Sequence, residues 1–489
     1  MLTCAVVMTA PAIFSQSSYS NPLLEPEKMR SDFAYLREKL ETTHPVLYIH
    51  QPRERMQFIL DSLGKTLEQP LPLLEFYRKI AFLIAEVRCE HTYCKPGPGL
   101  DPLMQTFKFL PFQLHLAGKK PIIVVNGTED QTIQPGDEII SINGRPIDSI
   151  RRELYRYMPS DGFMTASKDH ELSSMSFGLN YNLFIEQPDS YDVVVKNEKT
   201  GLIHRRFDRN LSLKDINRLA MANPVNQPVL DADKRGRKLR SQQWRLEFLN
   251  PATALLTVRT FSADKSVFKK AIDQFFKEIT KKKAANLIID LSYNGGGEEE
   301  LAAYLMSYLI DKPTRFMESE YLITDSDSIL ALSNVPEEIR KKKYEYIEPM
   351  KEGKSYARIS EYARELETMQ PKPNGFHGKV YLYVNGVTAS AASTFAAVAQ
   401  SNNRAITVGQ ETAGSFRGGG AVVGLDLTLP SSRIKVHTSL LYQVFSTSGR
   451  DGNRGVIPDH AYLPDFDEMI GDNSGWKKFI LQLMLGAGY

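Results

Sequence analysis

The spacing of apolar residues predicts different structures along the first part of the chain. From residue 22 to 98, apolar side chains recur every three to four positions, which predicts a helical N-terminal region. From 99 to 201 the period shortens toward two in the runs FQLHL, PIIVV, EIISI and YDVVV, with PGD and NGR turns between them. This second stretch predicts a small β-rich domain with a helix over about Ser149 to Met158.

The rest of the chain predicts an α/β core. Residues 202–243 are polar and charged, which indicates a connection. From 244 to 489, strand patterns such as NLIIDLS and VYLYVNG alternate with helical patterns, as in an α/β fold. A charged and mainly helical excursion over 326–370 interrupts this alternation and is a candidate lid. The predicted fold class is therefore multidomain α/β.

Composition excludes few functions. The chain has 489 residues, 42% hydrophobic and 24% charged, as expected for an ordinary globular protein with two to four domains. Its formal charge is only +2, and the basic runs KRGRKLR and Lys281–Lys283 contain no interleaved aromatic residues. We therefore expect no nucleic-acid binding.

The N-terminus resembles an export signal. The apolar segment AVVMTAPAIF precedes the small polar run SQSSYS, so residues 1–18 predict a signal peptide and an exported protein, periplasmic, on the outer surface or secreted. The positive n-region is missing, and a short buried segment is the alternative. No later run reaches the roughly 18 apolar residues of a spanning helix, so we expect no stable membrane insertion.

The remaining cysteines are predicted to be free thiols. Cys89 and Cys94 stand five positions apart, and on a continuous helix their Cα atoms would be about 8 Å apart, too far for a disulfide. A helix that ended between them would leave a disulfide possible. Two reduced, half-buried thiols are the favoured interpretation.

The first candidate for chemistry is a serine in the stretch VNGVTASAAS. Ser390 stands where a strand turns into a helix, and free backbone N–H groups at such a terminus can stabilise an oxyanion beside an exposed hydroxyl. Serine is also a preferred helix cap, so the local pattern leaves a purely capping role open. Ser393 falls inside the first turn and is expected to pack.

Two further segments could contribute. The glycines of DLSYNGGGEEE, at 290–300, predict either backbone donors for a substrate carbonyl or a plain tight turn; no lysine follows, and Glu298–Glu300 would repel a phosphate. His91, at the end of an apolar helix, could act as a general base or be a structural residue. No zinc motif or dinucleotide fingerprint occurs, so we expect no metal and no cofactor.

Taken in order, these segments resemble the C-terminal processing, or tail-specific, serine peptidases, including the tricorn core and the interphotoreceptor retinoid-binding relatives. The similar segments are TASAAS at 388–393, DLSYNGGG at 290–297, GQETAGS at 409–415, NRGVIPD at 453–459 and EHT at 90–92. QPGDEIISINGRPI at 134–147 resembles the end of a PDZ domain. The resemblance implies a crotonase-like or ClpP-like α/β protease core, with a PDZ-like domain over 99–201.

The resemblance also implies roles for individual residues. It makes Ser390 the nucleophile, and the N–H groups of Ala391 and Gly296 the oxyanion hole. It implies a third catalytic carboxylate just before the NRGVIPD segment, where Asp451 is the nearest acid.

Several departures from the family pattern favour its histidine-using branch. Ser415 replaces the lysine base of the processing proteases, and Arg417 nearby stays protonated and cannot accept a proton. His91 is then the expected base. Ser393 stands where the nucleophile motif usually ends in Glu, and Glu90 where tricorn relatives have a serine.

The sequence therefore predicts an exported serine endopeptidase that acts on polypeptides through an acyl-enzyme. The PDZ-like domain is expected to hold an extended peptide by strand addition. The alternative is a noncatalytic protein that binds peptides or hydrophobic ligands on the same fold. The oligomeric state stays open.

Overall fold

The computed structural model describes residues 21–173, 176–208, 211–471 and 474–486. The predicted signal peptide over 1–18 lies outside these residues. The N-terminal region is helical as predicted, and a short pairing of Leu23–Leu24 with Leu71–Pro72 joins its beginning to its third helix. Its helices are Pro26–Thr43, Arg53–Lys65 and Leu73–Glu86.

The N-terminal helices bury one stripe each because their apolar residues repeat at helical spacing. On the first helix Met29, Phe33, Leu36 and Leu40 all point into the core. The third helix ends at Glu86, before both cysteines, and Cys89 and Cys94 carry free thiols, as predicted.

The β-rich domain is a predominantly antiparallel sheet with helices packed against it. Its strands, in order across the sheet, are Phe112–His115, Ile122–Asn126, Glu138–Ile142, Ser190–Asn197 and Gly201–Asp208, with Arg145–Pro146 paired to the third. The predicted helix near 149–158 is Ile147–Leu154, followed by a 3₁₀ turn over Tyr155–Tyr157. The remaining helical segments are Pro98–Leu100 (3₁₀), Asp101–Met104, Ala166–Leu172 and Ser176–Phe184.

The predicted connection over 202–243 is wrong in its nature. The strand Gly201–Asp208 pairs with Ser190–Asn197 along its whole length, so the sheet continues beyond residue 201. This strand forms the edge of the sheet, where exposed positions carry charged side chains that hide the alternating pattern. Regular helices follow, and a Ser212–Asp215 capping box begins the first of them. They are Leu213–Ala222, Pro224–Asn226 (3₁₀) and Gln227–Arg240.

The C-terminal half contains the predicted α/β core. Its central sheet runs in the order Trp244–Asn250, Thr253–Val258, Asn286–Asp290, Lys379–Val384, Ile406–Gly409 and His460–Ala461. The first two strands pair antiparallel and the others parallel. Such a sheet is covered on both faces, so its inner strands Thr253–Val258, Asn286–Asp290 and Lys379–Val384 are almost continuously buried rather than alternating.

Each face of the central sheet is covered by helices. Along the second strand Ala254, Leu256 and Val258 belong to one hydrophobic cluster, and Leu255 to another on the opposite face, because successive side chains alternate. The first face packs against Lys265–Lys281, Glu299–Met306 and Ala391–Ser401. The second face packs against Gly475–Met484, which the short helix Phe466–Ile470 precedes.

Two smaller sheets join the core to the rest of the molecule. One runs in the order Ser355–Tyr356, Met317–Leu322, Tyr442–Phe445 and Gly418–Gly420. The other contains Gly424–Thr428, Lys435–Ser439 and Tyr93–Lys95, so it brings the segment after His91 onto the C-terminal half. Asp32 reinforces this junction, because its carboxylate accepts the N–H groups of Ser431 and Ser432, both at 2.7 Å.

The excursion over 326–370 is less helical than predicted. Its helices are single turns, because Pro336 and Pro349 interrupt the helical pattern. They are Asp327–Leu330, Glu337–Lys341, Lys343–Tyr346 and the 3₁₀ turn Arg364–Leu366. The strands Thr314–Arg315 and Thr368–Met369 pair at its base. Among the described helices none is both long and apolar enough to cross a bilayer.

Candidate active site

Two neighbouring parallel strands bring the serine motif and the glycine turn together. Asn286–Asp290 pairs with Lys379–Val384, so both carboxyl ends open at the same edge of the sheet, where α/β folds bind their ligands. Beyond the strands the two turns are joined directly, since Ala389 N–H donates to the carbonyl of Asn294 at 3.0 Å. The glycine turn therefore lies against the backbone at Ser390.

Ser390 has a strained backbone and does not cap its helix. It precedes the helix Ala391–Ser401 with φ 47° and ψ −132°, a region that costs a residue other than glycine about 1–3 kcal/mol. Its side chain makes no capping hydrogen bond. The capping alternative is thus not what the geometry shows. A half-buried hydroxyl on a sharp strand-to-helix bend is the arrangement that exposes a nucleophile in other hydrolases.

Gly296 is packed directly against this bend. Its φ is +96°, and a Cβ at this position would stand 2.7 Å from Ser390 Cβ, 2.8 Å from Ala389 O and 3.0 Å from Ala391 N. The absence of a side chain therefore leaves space beside the Ser390 side chain and the Ala391 N–H. Helix geometry gives that N–H, in the first turn, no acceptor within its own helix.

The two predicted oxyanion donors differ in this structure. The N–H of Ala391 borders the space beside Ser390. The N–H of Gly296 donates to Asn294 Oδ1 at 2.8 Å, inside its own turn. Gly296 can serve an oxyanion only by exchanging that bond, whereas its lack of a Cβ is already required by the packing.

The GQETAGS segment supports the serine turn from behind. Ala413 N–H donates to Thr388 O at 2.8 Å, and a Cβ on Gly414 would overlap Ser393 Oγ. Ser393 is almost fully buried and donates to Ser390 O at 2.9 Å, so it packs as predicted. Ser415 is buried too and donates to Gly452 O at 2.6 Å.

A cluster of buried carboxyl groups borders the first turn of the helix after Ser390. Thr394 Oγ1 donates to Glu299 Oε1 at 3.1 Å, and Gln443 Nε2 donates to Glu320 Oε1 at 2.6 Å. Burial and the neighbouring Glu365 raise the pKa of Glu299 well above its usual value, and burial and Glu320 raise that of Glu365 to about 8. No sequence pattern indicates this cluster, because its members come from separate segments.

His91 lies in the loop between the third N-terminal helix and the strand Tyr93–Lys95. It is half-buried, and its Nδ1 is buried without a hydrogen-bond partner among the described residues. Burial lowers the pKa of His91, the charge of Asp161 opposes this shift and His437 adds to it. A lowered pKa favours the neutral imidazole, which is the form that accepts a proton. In the part of the chain that is described, no hydrogen bond joins His91 to Ser390.

Among the described residues no hydrogen bond joins Asp451 to His91. Asp451 is exposed, and its Oδ1 accepts the N–H of Asn453 at 2.9 Å within its own loop. Asp161 is buried and accepts the N–H of Glu90 at 2.8 Å, and its charge opposes the lowering of the His91 pKa by burial. Sequence reasoning missed Asp161 because it lies in no recognised motif and, as part of the β-rich domain, is about 70 residues along the chain from His91.

A buried lysine occurs elsewhere in the structure. Burial lowers the pKa of Lys168 to about 8, but its Nζ donates to Tyr155 O at 2.9 Å. No hydrogen bond from a lysine reaches Ser390 within the described ranges. Nor do those ranges contain a group of three or more His, Cys, Asp or Glu side chains placed to hold a metal ion.

The chain is similar to one family model and to several solved structures. The model of peptidase family S41 matches residues 252–462. Mature CPAF, solved in complex with lactacystin, has a TM-score of 0.59 and 15% identity, covering 94% of this chain and 97% of its own. Mature CPAF alone also has a TM-score of 0.59 and 15% identity, over 95% and 99%. At this identity the likeness concerns the fold, and it confirms the predicted multidomain α/β architecture.

A more distant similarity is found with the photosystem II D1 C-terminal processing protease. Its TM-score is 0.39 at 14% identity, covering 89% of this chain and 94% of its own. No curated protein sequence matches the chain significantly.

Proposed function

We propose that this chain, whose residues 252–462 match the model of peptidase family S41, is an exported serine endopeptidase with Ser390 as nucleophile and His91 as general base. The family match confirms the predicted class of serine peptidase. The observation that carries the assignment of Ser390 is its strained, uncapped position beside the Ala391 N–H and the glycine turn.

The proposed reaction follows from these groups. Ser390 Oγ bonds to the scissile carbonyl carbon as its proton passes to His91, and the Ala391 N–H stabilises the oxyanion. The C–N bond then breaks, and the imidazolium returns the proton to the leaving amine. Water deacylates the enzyme with His91 again as base. Because no hydrogen bond joins His91 to Ser390 in this structure, the two must approach when substrate binds.

The decisive experiment is the variant Ser390→Ala. It should lose both peptide hydrolysis and labelling by a fluorophosphonate, which reacts with activated serines. Ser393→Ala is the matched control, three residues away on the same helix, and should keep both activities. Full activity of Ser390→Ala would exclude the proposed nucleophile. His91→Gln should retain the fold and lose at least about a hundredfold in kcat, the usual contribution of a general base.

A noncatalytic binding protein on this fold is the second proposal, favoured by the absence of a hydrogen bond between His91 and Ser390 among the described residues and by Ser415 at the position of the family lysine. A wild-type chain that is neither labelled nor cleaves any peptide of a diverse library would support it. Lactacystin, the compound bound in the solved CPAF complex, is a useful probe here. Covalent modification of Ser390 would favour the enzyme.

We further propose that the β-rich domain presents peptide to the core by strand addition at the edge strand Phe112–His115. Capture of a free C-terminus is tested with one peptide in its carboxylate and amidated forms. Equal affinity for both forms would remove carboxylate capture.

Export is proposed from the signal-like residues 1–18. It is tested by N-terminal sequencing of the mature protein recovered from cell fractions. An intact Met1 in a cytoplasmic fraction would contradict it.

A further inference from the structure

We propose that Asp161, rather than Asp451, is the carboxylate that positions His91 and stabilises its protonated form during proton transfer. The inference rests on the proposed function, in which His91 takes the proton of Ser390. Asp161 is a positioning residue in this scheme, because it acts through His91 and contacts neither substrate nor nucleophile.

The Asp161 side chain is buried beside the backbone of the His91 loop. It is only 3% exposed, and its Oδ1 accepts the N–H of Glu90 at 2.8 Å. That N–H belongs to the residue immediately before His91, so the bond fixes the backbone from which the imidazole projects. A buried carboxylate is costly unless it is paired, and this hydrogen bond to a charged acceptor is of the strong kind.

Backbone hydrogen bonds hold the segment that carries Asp161 between two loops of the site. Gly162 N–H donates to Arg88 O at 3.1 Å, on the loop of His91. Phe163 N–H donates to Asn453 O at 3.0 Å, on the loop that contains Asp451. Gly162 has φ +56°, and any side chain there would overlap the carbonyl of Asn453. The backbone that carries Asp161 is therefore held by both loops.

Several other titratable groups surround His91. Its own loop contributes Glu90 and Cys89, the strand Lys435–Ser439 contributes His437, and further neighbours of this group are Tyr442 and Glu171. Burial and the charge of Asp161 raise the pKa of Glu90 to about 8. Burial likewise raises the pKa of Cys89, Tyr442 and Glu171, which favours their neutral forms.

These shifts leave a simple charge balance around the imidazole. His437 opposes protonation of His91, and Asp161 supports it. The buried Nδ1 of His91 has no hydrogen-bond partner in the described structure, so the positive charge of an imidazolium would depend on a nearby anion. Asp451 is less suited to this role, because it is exposed and its Oδ1 accepts the N–H of Asn453 in its own loop.

The test compares Asp161→Asn with Asp451→Asn in the full chain. Asparagine at 161 keeps a carbonyl oxygen that can accept the Glu90 N–H, and it removes the negative charge. We expect the acidic limb of the kcat/KM profile to move to lower pH, because loss of the anion lowers the pKa of His91, and kcat/KM at its plateau to fall at least about tenfold. Asp451→Asn should change neither.

A second readout does not depend on activity. NMR titration of histidine-labelled protein, with the signal of His91 assigned by His91→Gln, should give a lower His91 pKa in Asp161→Asn and an unchanged one in Asp451→Asn. An unchanged His91 pKa in Asp161→Asn, or a shift produced by Asp451→Asn instead, would overturn the inference. A failure of the proposed function would be recognised by a different result, namely wild-type activity of Ser390→Ala.

Gly419→Ala provides a variant that leaves the residues of the site intact. A Cβ at Gly419 would meet Asp161 Oδ2 at 3.1 Å, and all its neighbours within 4 Å belong to that carboxylate. The added methyl group should displace the carboxylate by a few tenths of an ångström and change the His91 titration while the protein stays folded. A titration identical to wild type would again contradict a role for Asp161, even if Asp161→Asn does not fold.

Discussion

The packing of Gly296 allows a sharp test of the oxyanion site. In Gly296→Ala the new Cβ would stand 2.7 Å from Ser390 Cβ and 2.8 Å from Ala389 O, distances at which something must shift. The neighbours are a short side chain and backbone, which cannot swing away as a flexible side chain would. The methyl group would also occupy the space beside the Ala391 N–H, 3.0 Å from its nitrogen.

The size of the effect follows from two contributions. An alanine at φ +96° costs about 1–3 kcal/mol of backbone strain, and forcing a methyl group into a packed site costs about 1–3 kcal/mol more. A loss of about 2–6 kcal/mol lies within the stability of most domains, so the variant should still fold at low temperature. Blocking one oxyanion donor lowers kcat by about 10²–10³-fold.

Gly295→Ala is the matched control for this experiment. Gly295 precedes Gly296 in the same turn, but a Cβ at Gly295 would meet no atom within 4 Å, and its φ is not in the left-handed region. Both variants are assayed for peptide hydrolysis, fluorophosphonate labelling and denaturant unfolding. We expect Gly295→Ala to behave as wild type. Wild-type turnover and labelling in a folded Gly296→Ala would refute the assignment of this space to the oxyanion.

Three further predictions concern stability. Glu365 has a pKa of about 8 against a usual 4.5, so the folded chain keeps a proton that the unfolded chain releases, and the stability that Glu365 contributes falls as the pH rises from 4.5 to 8. In urea unfolding, the free energy of unfolding of Glu365→Gln should therefore rise relative to wild type by a few kcal/mol between these two pH values; a constant difference would contradict this prediction. Ser390→Gly should be more stable than Ser390→Ala by about 1 kcal/mol, because glycine relieves the strain at φ 47° but costs more unfolded-state entropy; equal unfolding midpoints would argue against strain. Asp32→Asn should lower the free energy of unfolding by about 2–4 kcal/mol, because the single amide oxygen cannot replace the two carboxylate oxygens that accept the Ser431 and Ser432 N–H groups. The control in thermal unfolding is Asp61→Asn, at an exposed position on the next helix; equal losses of stability in the two variants would contradict the prediction.

Local sequence patterns were sufficient to predict most helices and strands and the two turns that meet at Ser390. The turn from the strand Lys379–Val384 into the helix Ala391–Ser401 was predicted from a few consecutive residues, because strand and helix periods change there. The glycine turn was predicted for the same reason. Their contact could be anticipated as well, since the carboxyl ends of adjacent parallel strands open at the same edge. The strain at Ser390 that excludes simple capping was visible only in the folded backbone.

Local patterns did not predict the structure correctly in two segments. The edge strand Gly201–Asp208 has charged side chains at exposed positions, so its sequence could not be distinguished from that of a polar connection. The helices of 326–370 were overestimated because the helical composition runs across Pro336 and Pro349, whereas the helices on either side of these prolines are only four or five residues long.

By itself, then, the sequence determined the α/β class, the serine at the helix terminus and the glycine turn beside it, because each depends on neighbouring residues. Only the tertiary structure decided which acid is buried beside the loop of His91 and which carboxyl groups share the core. Asp161 and Asp451 are equally acidic in the sequence, and burial distinguishes them: Asp161 is buried and its charge influences the pKa of His91, whereas Asp451 is exposed to water, which screens its charge. Such a difference arises from long-range packing, which no local pattern records.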